Sequence, residues 1–252
     1  MFPIDVMSSE DAGSHYKRLI NIEALHGPMH YRVKPYLLLR SAFEIATSPA
    51  LLDAVESLLG SDILLWDGAY IIKEPCTGNF VSWHQDLTYW GLESESDDDL
   101  VSAWVALTPA IRENGCMRFV NGSHKGEKYA HEDTYDEKNL LHRGQSIHEQ
   151  FDRHLISHIE LSPGQASLHH GWAIHSSHPN TSGNRRVALN LNYVKPSVRQ
   201  IIGQDESATL VRGKDTHGHF KPEPICESDF DRDNVVFQLE SERKKREVYD
   251  TA

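Results

Sequence analysis

Residues 161–199 read LSPGQASLHHGWAIHSSHPNTSGNRRVALNLNYVKPSVR, and the punctuation of this stretch sets the fold class. A strand-like run ends at His175 and a polar turn, SSHPNTSGN, follows it. The run RVALNLNYV (186–194) then alternates in the manner of a half-buried strand. A Pro-Asn-Thr-Ser-Gly-Asn connection lays the two runs side by side, so His175 and Arg186, eleven positions apart, come to the same end of the pair. If His175 is a metal ligand, a second His and a carboxylate must come from elsewhere in the chain.

The same grammar extends outward. ILLWDGAYIIK (63–73), LVSAWVAL (100–107), CMRFV (116–120), LISHIEL (155–161) and ASLHH (166–170) are short β-rich runs bounded by Gly, Pro, Asn or Asp. Strands without intervening amphipathic helices predict a mainly β chain, either an antiparallel barrel or a two-sheet jelly roll. Helices flank it. Residues 9–26 read as a helix with Ser9 as N-cap, Pro35 to Thr47 as a second, and Ser48-Pro49 starts a third that Gly60 ends. The tail 234–248 returns to helix, with Val235, Val236 and Leu239 on one side and the basic run Arg243 to Arg246 as a solvated face.

No repeat or boundary divides the chain, so 1–252 reads as one domain: a helical part to about 60, a core from about 62 to 200 and a tail from about 228 to 250. Two polar segments interrupt the strands, Glu93 to Asp99 and Lys125 to Arg153. The second exceeds the usual connection length and reads as a lid over the barrel mouth or a structured insertion, with Arg143 and His148 as lid residues.

A chain of 252 residues can enclose a core without staples. Its 25 basic against 37 acidic residues give a net charge of −12, which disfavours nucleic acid and anionic membrane and leaves a small molecule as the expected partner. Cys76, Cys116 and Cys226 show no CxxC spacing, so a disulfide framework or thiolate metal site is not expected and a reducing compartment fits. No signal-like N-terminus or membrane-length apolar run is present, and the expectation is a cytoplasmic monomer or homodimer.

Two His and one carboxylate on one face of a non-haem iron leave positions open for co-substrate and O₂. The sequence form, H-x-D/E plus a distant His, is weak alone: among 16 His, about two matches arise by chance. Three occur. His131-Glu-Asp133 lies in a charged stretch and reads as surface, and His158-Ile-Glu160 reads as a solvent-facing strand pair. His84-Gln-Asp86 lies in aromatic and apolar company, where a polar side chain needs a reason to be inside. Spacing from His to Arg is equally ambiguous, because His142 to Arg153 repeats it across the polar insertion. In the opening stretch alone does it join two strand ends, where a planar guanidinium can capture a carboxylate bidentately. Alternation sends Arg185 to the opposite face.

IIKEP, WHQD, LVSAWVAL, ENGCMRFVNGSHK, LSPGQASLHH and HSSHPNTSGNRR together resemble the phytanoyl-CoA dioxygenase family of Fe(II)/2-oxoglutarate oxygenases, from about Leu64 to Val194 and in the same order. The resemblance implies a double-stranded β-helix, or cupin-like jelly roll, with flanking helices. It makes His84, Asp86 and His175 the catalytic iron ligands and Arg186 the partner of the distal carboxylate of 2-oxoglutarate. It adds Lys73, Gln85, Trp104 and Ser177 on the co-substrate side, and gives His124 a structural place in a turn signature. Halogenating relatives replace the facial carboxylate by a small residue. Asp86 keeps it, which implies hydroxylation, desaturation or ring closure, with 2-oxoglutarate and O₂ converted to succinate and CO₂.

For the other substrate, Tyr70, Thr88, Tyr89, Trp90, Arg118, His169 and Asn192 are the candidate contacts. Relatives of this size imply a small polar metabolite: an amino acid, a phosphonate, a zwitterion or a natural-product intermediate. No acyl-CoA-binding patch shows in this acidic chain. A non-catalytic jelly-roll binding protein and a cupin-type metalloenzyme without 2-oxoglutarate are the competing readings.

Overall fold

The computed structural model describes residues 1–94, 96–203 and 206–251, so residue 95 of the first polar segment lies outside the described residues. Strand β1 (Ile4–Asp5) precedes helices α1 (Ser9–His26), α2 (Pro35–Leu38), α3 (Arg40–Ala46) and α4 (Pro49–Leu59). The core follows as β2 (Ile63–Lys73), β3 (Val81–His84), β4 (Leu92–Glu93), β5 (Leu100–Ala106), β6 (Met117–Val120), β7 (Ile156–Ile159) and β8 (Gln165–His169). It continues through β9 (His175–Ser177), β10 (Arg186–Val194), β11 (Arg199–Gln200), β12 (Ser207–Arg212) and β13 (Lys221–Pro222) to helix α5 (Arg232–Thr251).

One sheet runs β1-β8-β5-β10-β2-β12-β13 and a second runs β3-β9-β6-β7, while β11 and β4 form a separate pair. The chain crosses from one sheet to the other and back as it passes from β2 to β10. That is the winding of a double-stranded β-helix, and the sheets stay separate rather than closing into a barrel.

Alternation along β10 assigns the two faces of the larger sheet. Val187, Leu189, Leu191 and Tyr193 pack with Tyr36, Leu51 and Val55 of the helices. The intervening Ala188 packs instead with Trp104, Met117, Phe119 and Ile159, between the two sheets. The helices therefore cover one face, and the other becomes the inner wall of the site.

Several sequence expectations change in detail. Ser8, not Ser9, caps α1, accepting from Asp11 N–H at 3.0 Å. The expected helix 35–47 breaks at Leu39, which is extended, and Asp229 from the distant tail accepts the Arg40 N–H at 2.7 Å to start α3. His175 opens β9 rather than ending a strand. The largest correction concerns α5. Val236 and Leu239 are 62% and 51% exposed, whereas Asn234, Gln238, Ser241, Lys245 and Val248 are buried at helical spacing. Asn234 Nδ2 donates to Leu37 O and Gln238 Nε2 to Val33 O, so the helix docks through a polar stripe. Lys245, expected in solvent, is buried 3.3 Å over the Trp66 ring and 3.1 Å from Asp67.

A second buried charge pair pins β12 and β13. Lys34 Nζ contacts Glu223 Oε1 at 2.5 Å and donates to Ser207 O at 2.7 Å, and Thr209 Oγ1 donates to Glu223 Oε2. Lys34→Met is expected to cost about 3–5 kcal/mol, because it strands a buried carboxylate, and Lys34→Met with Glu223→Leu is expected to recover most of that loss. Urea denaturation midpoints of the single and double variants check this; equal midpoints for wild type and Lys34→Met would remove the pair from the account.

Candidate active site

β3 and β9 lie side by side in the smaller sheet with His84 opposite His175. The short turn Asp86–Thr88 swings the Asp86 carboxylate back toward both rings. Asp86 Oδ1 lies 3.2 Å from His84 Nε2 and 3.8 Å from His175 Nε2, and one ligand atom from each residue falls within 4.8 Å of the others.

Both rings are fixed the same way. His84 Nδ1 meets Ser82 O at 3.0 Å and His175 Nδ1 meets Ala173 O at 2.9 Å, each a carbonyl two residues earlier. A carbonyl only accepts, so Nδ1 carries the proton and the Nε2 lone pair points into the cluster, the tautomer a metal requires. Burial, reinforced by His84, pushes His175 down to about 3, so its ring is neutral at neutral pH. Burial opposes ionisation of Asp86, but the surrounding imidazoles of His175, His169 and His84 hold its carboxyl well below the usual range. Two neutral imidazoles and a carboxylate suit a divalent first-row metal with positions left open.

Residues of the larger sheet form the opposite wall. Arg186 stands opposite Lys73 in the β10–β2 register, and both side chains are buried. The Arg186 guanidinium donates to Gly115 O and lies 5.1 Å from the Trp104 ring, while its Nε is buried without a partner. Lys73 Nζ donates to the carbonyls of Ser177 and His178. Burial lowers Arg186 to about 10, and burial with the Arg186 charge lowers Lys73 to about 6. Among the described residues neither side chain is paired with a carboxylate, so together they could hold an anion: Arg186 keeps its charge at neutral pH, and a carboxylate bound beside Lys73 would restore the charge that burial takes from it.

The chain builds this corner with two local devices. Asn180 Nδ2 donates to Lys73 O and Asn184 O, which locks the turn ahead of Arg186. Gly115 has φ +76°, and a Cβ there would sit 2.2 Å from His178 O, so only glycine brings its carbonyl to Arg186. Arg185 faces outward, 2.6 Å from both Glu23 and Glu74.

Gln85, expected beside the co-substrate, is fully buried on the other side of β3. Its amide donates to Trp172 O at 2.9 Å and Glu127 O at 3.2 Å and accepts from Tyr129 N–H at 2.9 Å, while its backbone N–H donates to His131 Nε2. His131 is therefore not a surface residue: it packs edge-on against Tyr89 and helps tie the segment 125–153 to the strand carrying His84. Gln85→Leu is expected to cost about 2–3 kcal/mol, lowering the melting temperature by about 5–10 °C. It should also speed amide exchange at Tyr129; unchanged melting and exchange would sink the assignment.

The other expected contacts separate. Tyr70 lies on the helix-facing side of β2, in the core, and Thr88 is exposed. Tyr89 and Trp90 pack with Trp66, Leu100 and Phe220. Arg118 points away from the interior, donating to Ser176 Oγ and lying 4.5 Å from the Trp83 ring. Arg143 and His148 pair with Asp133 and Glu132 inside their own segment. His169 and Asn192 do face the interior: His169 Nε2 is 3.7 Å from Asp86 Oδ2, and Asn192 lies on the inner face of β10.

A cavity of about 560 Å³ opens beside the cluster, separated from it by Phe119 and His169; Ser167 and Ala173 also bound it inside, Asp98, Asn121 and His124 stand at its rim, and Met1 and Phe2 complete its mouth. Phe119 stacks on His175 at 5.2 Å. Sequence reading missed Phe119 and Ser167, although strand alternation from His175 and Trp104 points to both. No residue of 125–153 lines this cavity, so that segment braces β3 rather than covering the opening.

Comparison with known proteins agrees with this geometry. The phytanoyl-CoA dioxygenase domain-containing protein 1 homolog of Caenorhabditis elegans is 32% identical over 130 residues, 50% of this chain and 44% of that protein. The probable alpha-ketoglutarate-dependent hypophosphite dioxygenase of Stutzerimonas stutzeri is 28% identical over 188 residues, 72% of this chain and 64% of that protein. The chain spans about half the length of the curated relatives it matches. Among solved structures, the apo form of the non-heme monooxygenase ThoJ superposes with a TM-score of 0.86 at 32% identity, covering 99% of this chain and 94% of that one. A sequence model described as phytanoyl-CoA dioxygenase (PhyH) matches residues 10–188, and with that match over most of its length the chain belongs to the phytanoyl-CoA dioxygenase family.

Proposed function

We propose that the protein is an Fe(II)- and 2-oxoglutarate-dependent oxygenase that hydroxylates a C–H bond of a small molecule and releases succinate and CO₂. The observation that carries this reading is the pairing of two sites across one interior: the His84, Asp86 and His175 cluster, and the buried Arg186–Lys73 anion site facing it. Bound there, iron and 2-oxoglutarate supply the chemistry, in which O₂ oxidises the keto acid and the substrate together. The chain's own residues bind, orient and exclude water. His84, Asp86 and His175 hold the metal. Arg186 grips the distal carboxylate of 2-oxoglutarate with its planar fork, Trp104 supports the guanidinium, and Lys73 adds a point charge. Phe119 and Ala173 keep the approach apolar.

A buried arginine with an unpartnered Nε and a lysine with no carboxylate partner favour this reading over a cupin-type enzyme that needs no dicarboxylate. The finer reading follows from Asp86: its carboxylate fills the place a halide would take, so the product is hydroxylated rather than halogenated. The test is a succinate assay with Fe(II) and 2-oxoglutarate across a substrate panel. Succinate should form only with both present and rise with an accepted substrate. Turnover that proceeds without 2-oxoglutarate would establish the cupin-type reading instead.

A further inference from the structure

Three histidines of this chain share one local device. His84, His175 and His131 each set Nδ1 against the carbonyl two residues earlier: Ser82 O at 3.0 Å, Ala173 O at 2.9 Å and Tyr129 O at 3.0 Å. In each ring the proton therefore sits on Nδ1, and the Nε2 lone pair is left to accept. In His84 and His175 that lone pair points into the metal cluster. In His131 it accepts the backbone N–H of Gln85 at 2.9 Å, and Gln85 is the residue between His84 and Asp86.

That N–H lies where the strand ladder stops. The β3–β9 register ends with His84 opposite His175, and beyond it an imidazole takes the place of a neighbouring strand. Gln85 is fully buried, so loss of the imidazole would strand a buried donor. The same peptide plane joins His84 to Gln85. Any rotation of it toward another acceptor changes where the His84 ring and the Asp86 carboxylate stand relative to each other.

His131 also meets the far side of the ligand turn. Tyr89 N–H donates to Asp86 O at 3.1 Å, and the Tyr89 ring stands edge-on to His131 at 5.2 Å. Around this point the segment 125–153 covers the outer edge of β3, which is the end strand of the smaller sheet. Phe80 N–H donates to Lys138 O at 3.0 Å, Ile147 N–H to Trp83 O at 2.8 Å, and Tyr129 N–H to Gln85 Oε1 at 2.9 Å. The Gln85 amide continues to Trp172 O, three residues before His175. One chain of hydrogen bonds thus runs from Tyr129 and His131 past all three ligand positions.

We propose that His131 is a positioning residue of the metal site: its Nε2 fixes the peptide between His84 and Gln85, and through it the docking of 125–153 and the binding of the metal strengthen each other. This rests on reading His84, Asp86 and His175 as the iron ligands. The coupling is reciprocal, so whatever loosens the segment weakens the metal, and the metal tightens the segment.

The test is anaerobic calorimetry of Fe(II) with the full chain, in wild type, His131→Phe, His131→Gln and His175→Ala. Phenylalanine keeps a ring against Tyr89 and removes the acceptor, and glutamine places an amide oxygen near the position of Nε2. His131→Phe should weaken Fe(II) by about 10–100-fold, the usual loss for an outer-shell partner, and His131→Gln should recover most of that. Fe(II) should also slow amide exchange at Gln85 and Tyr129 in the wild type and do so less in His131→Phe. Equal Fe(II) affinity in wild type and His131→Phe, or an equal loss in the Phe and Gln variants, would overturn the proposal. If His131→Phe does not fold, the wild type decides: exchange at Gln85 and Tyr129 that ignores Fe(II) overturns it as well. His175→Ala separates the failures. Wild type that takes up no Fe(II), or His175→Ala that takes it up undiminished, refutes the reading of the iron site itself; normal uptake through His175 with an indifferent His131→Phe refutes the positioning role alone.

Discussion

Asp86→Ala is expected to abolish Fe(II)-dependent succinate formation, with a loss well beyond the about 10–100-fold that outer-shell partners of a metal site cost when removed. The reason is specific to this cluster. Asp86 is the single anion among the proposed ligands, and both His84 and His175 lie within 4 Å of its Oδ1. Without it, two neutral imidazoles remain and no protein charge offsets a divalent cation. His84→Ala and His175→Ala should behave alike, because each ring is preset by its carbonyl partner and no other imidazole occupies its position. His169 is the nearest alternative, 3.7 Å from Asp86 Oδ2. The expected result is loss of Fe(II) uptake, measured by metal analysis after desalting, together with loss of turnover. Retained iron and activity in His175→Ala would move the metal to a site that includes His169.

Arg186→Ala is expected to have the second largest effect, and a different kind. Truncating one partner of a buried charge pair costs roughly 2–5 kcal/mol, which raises the 2-oxoglutarate requirement by about 30-fold or more. Iron affinity should change little, since Arg186 lies on the opposite sheet and contacts Gly115 O and Trp104 rather than the cluster. Arg186→Lys should fall between the two, because a point charge replaces a fork. Lys73 remains in all three proteins, so some affinity for the dicarboxylate persists. A 2-oxoglutarate titration at fixed Fe(II) checks the order. Equal requirements in wild type and Arg186→Ala would mean that the anion site belongs to something else.

Most of the core was legible in the sequence because its strands are separated by strong turn signals and alternate cleanly. Arg186 and Arg185 are adjacent in the chain, and alternation alone sends one to the interior and the other to Glu23 and Glu74. The same rule, applied strictly, would have removed Tyr70. It is three residues from Lys73 in β2, so the two cannot share a face, and the helices claim Tyr70. Arg118 falls out likewise, lying between inward-facing Met117 and Phe119.

Other features were beyond local reading. His131 looks like one charged-loop histidine among several, and only the fold brings its Nε2 to the Gln85 N–H. The polar docking stripe of α5 runs against hydrophobic periodicity, because its partners are backbone carbonyls of residues 33 and 37, some 200 positions away. Lys245 was unreadable for the same reason: its aromatic and acidic partners, Trp66 and Asp67, lie on β2.

The most direct test of the two-site account is an anaerobic titration of 2-oxoglutarate into the Fe(II)-loaded protein, following the visible charge-transfer absorption of an iron–keto-acid chelate. That absorption requires both ligands in one interior. The account predicts a single saturable transition that vanishes in His175→Ala and shifts to higher 2-oxoglutarate in Arg186→Ala. No absorption in the wild type, or an undiminished one in His175→Ala, would contradict it.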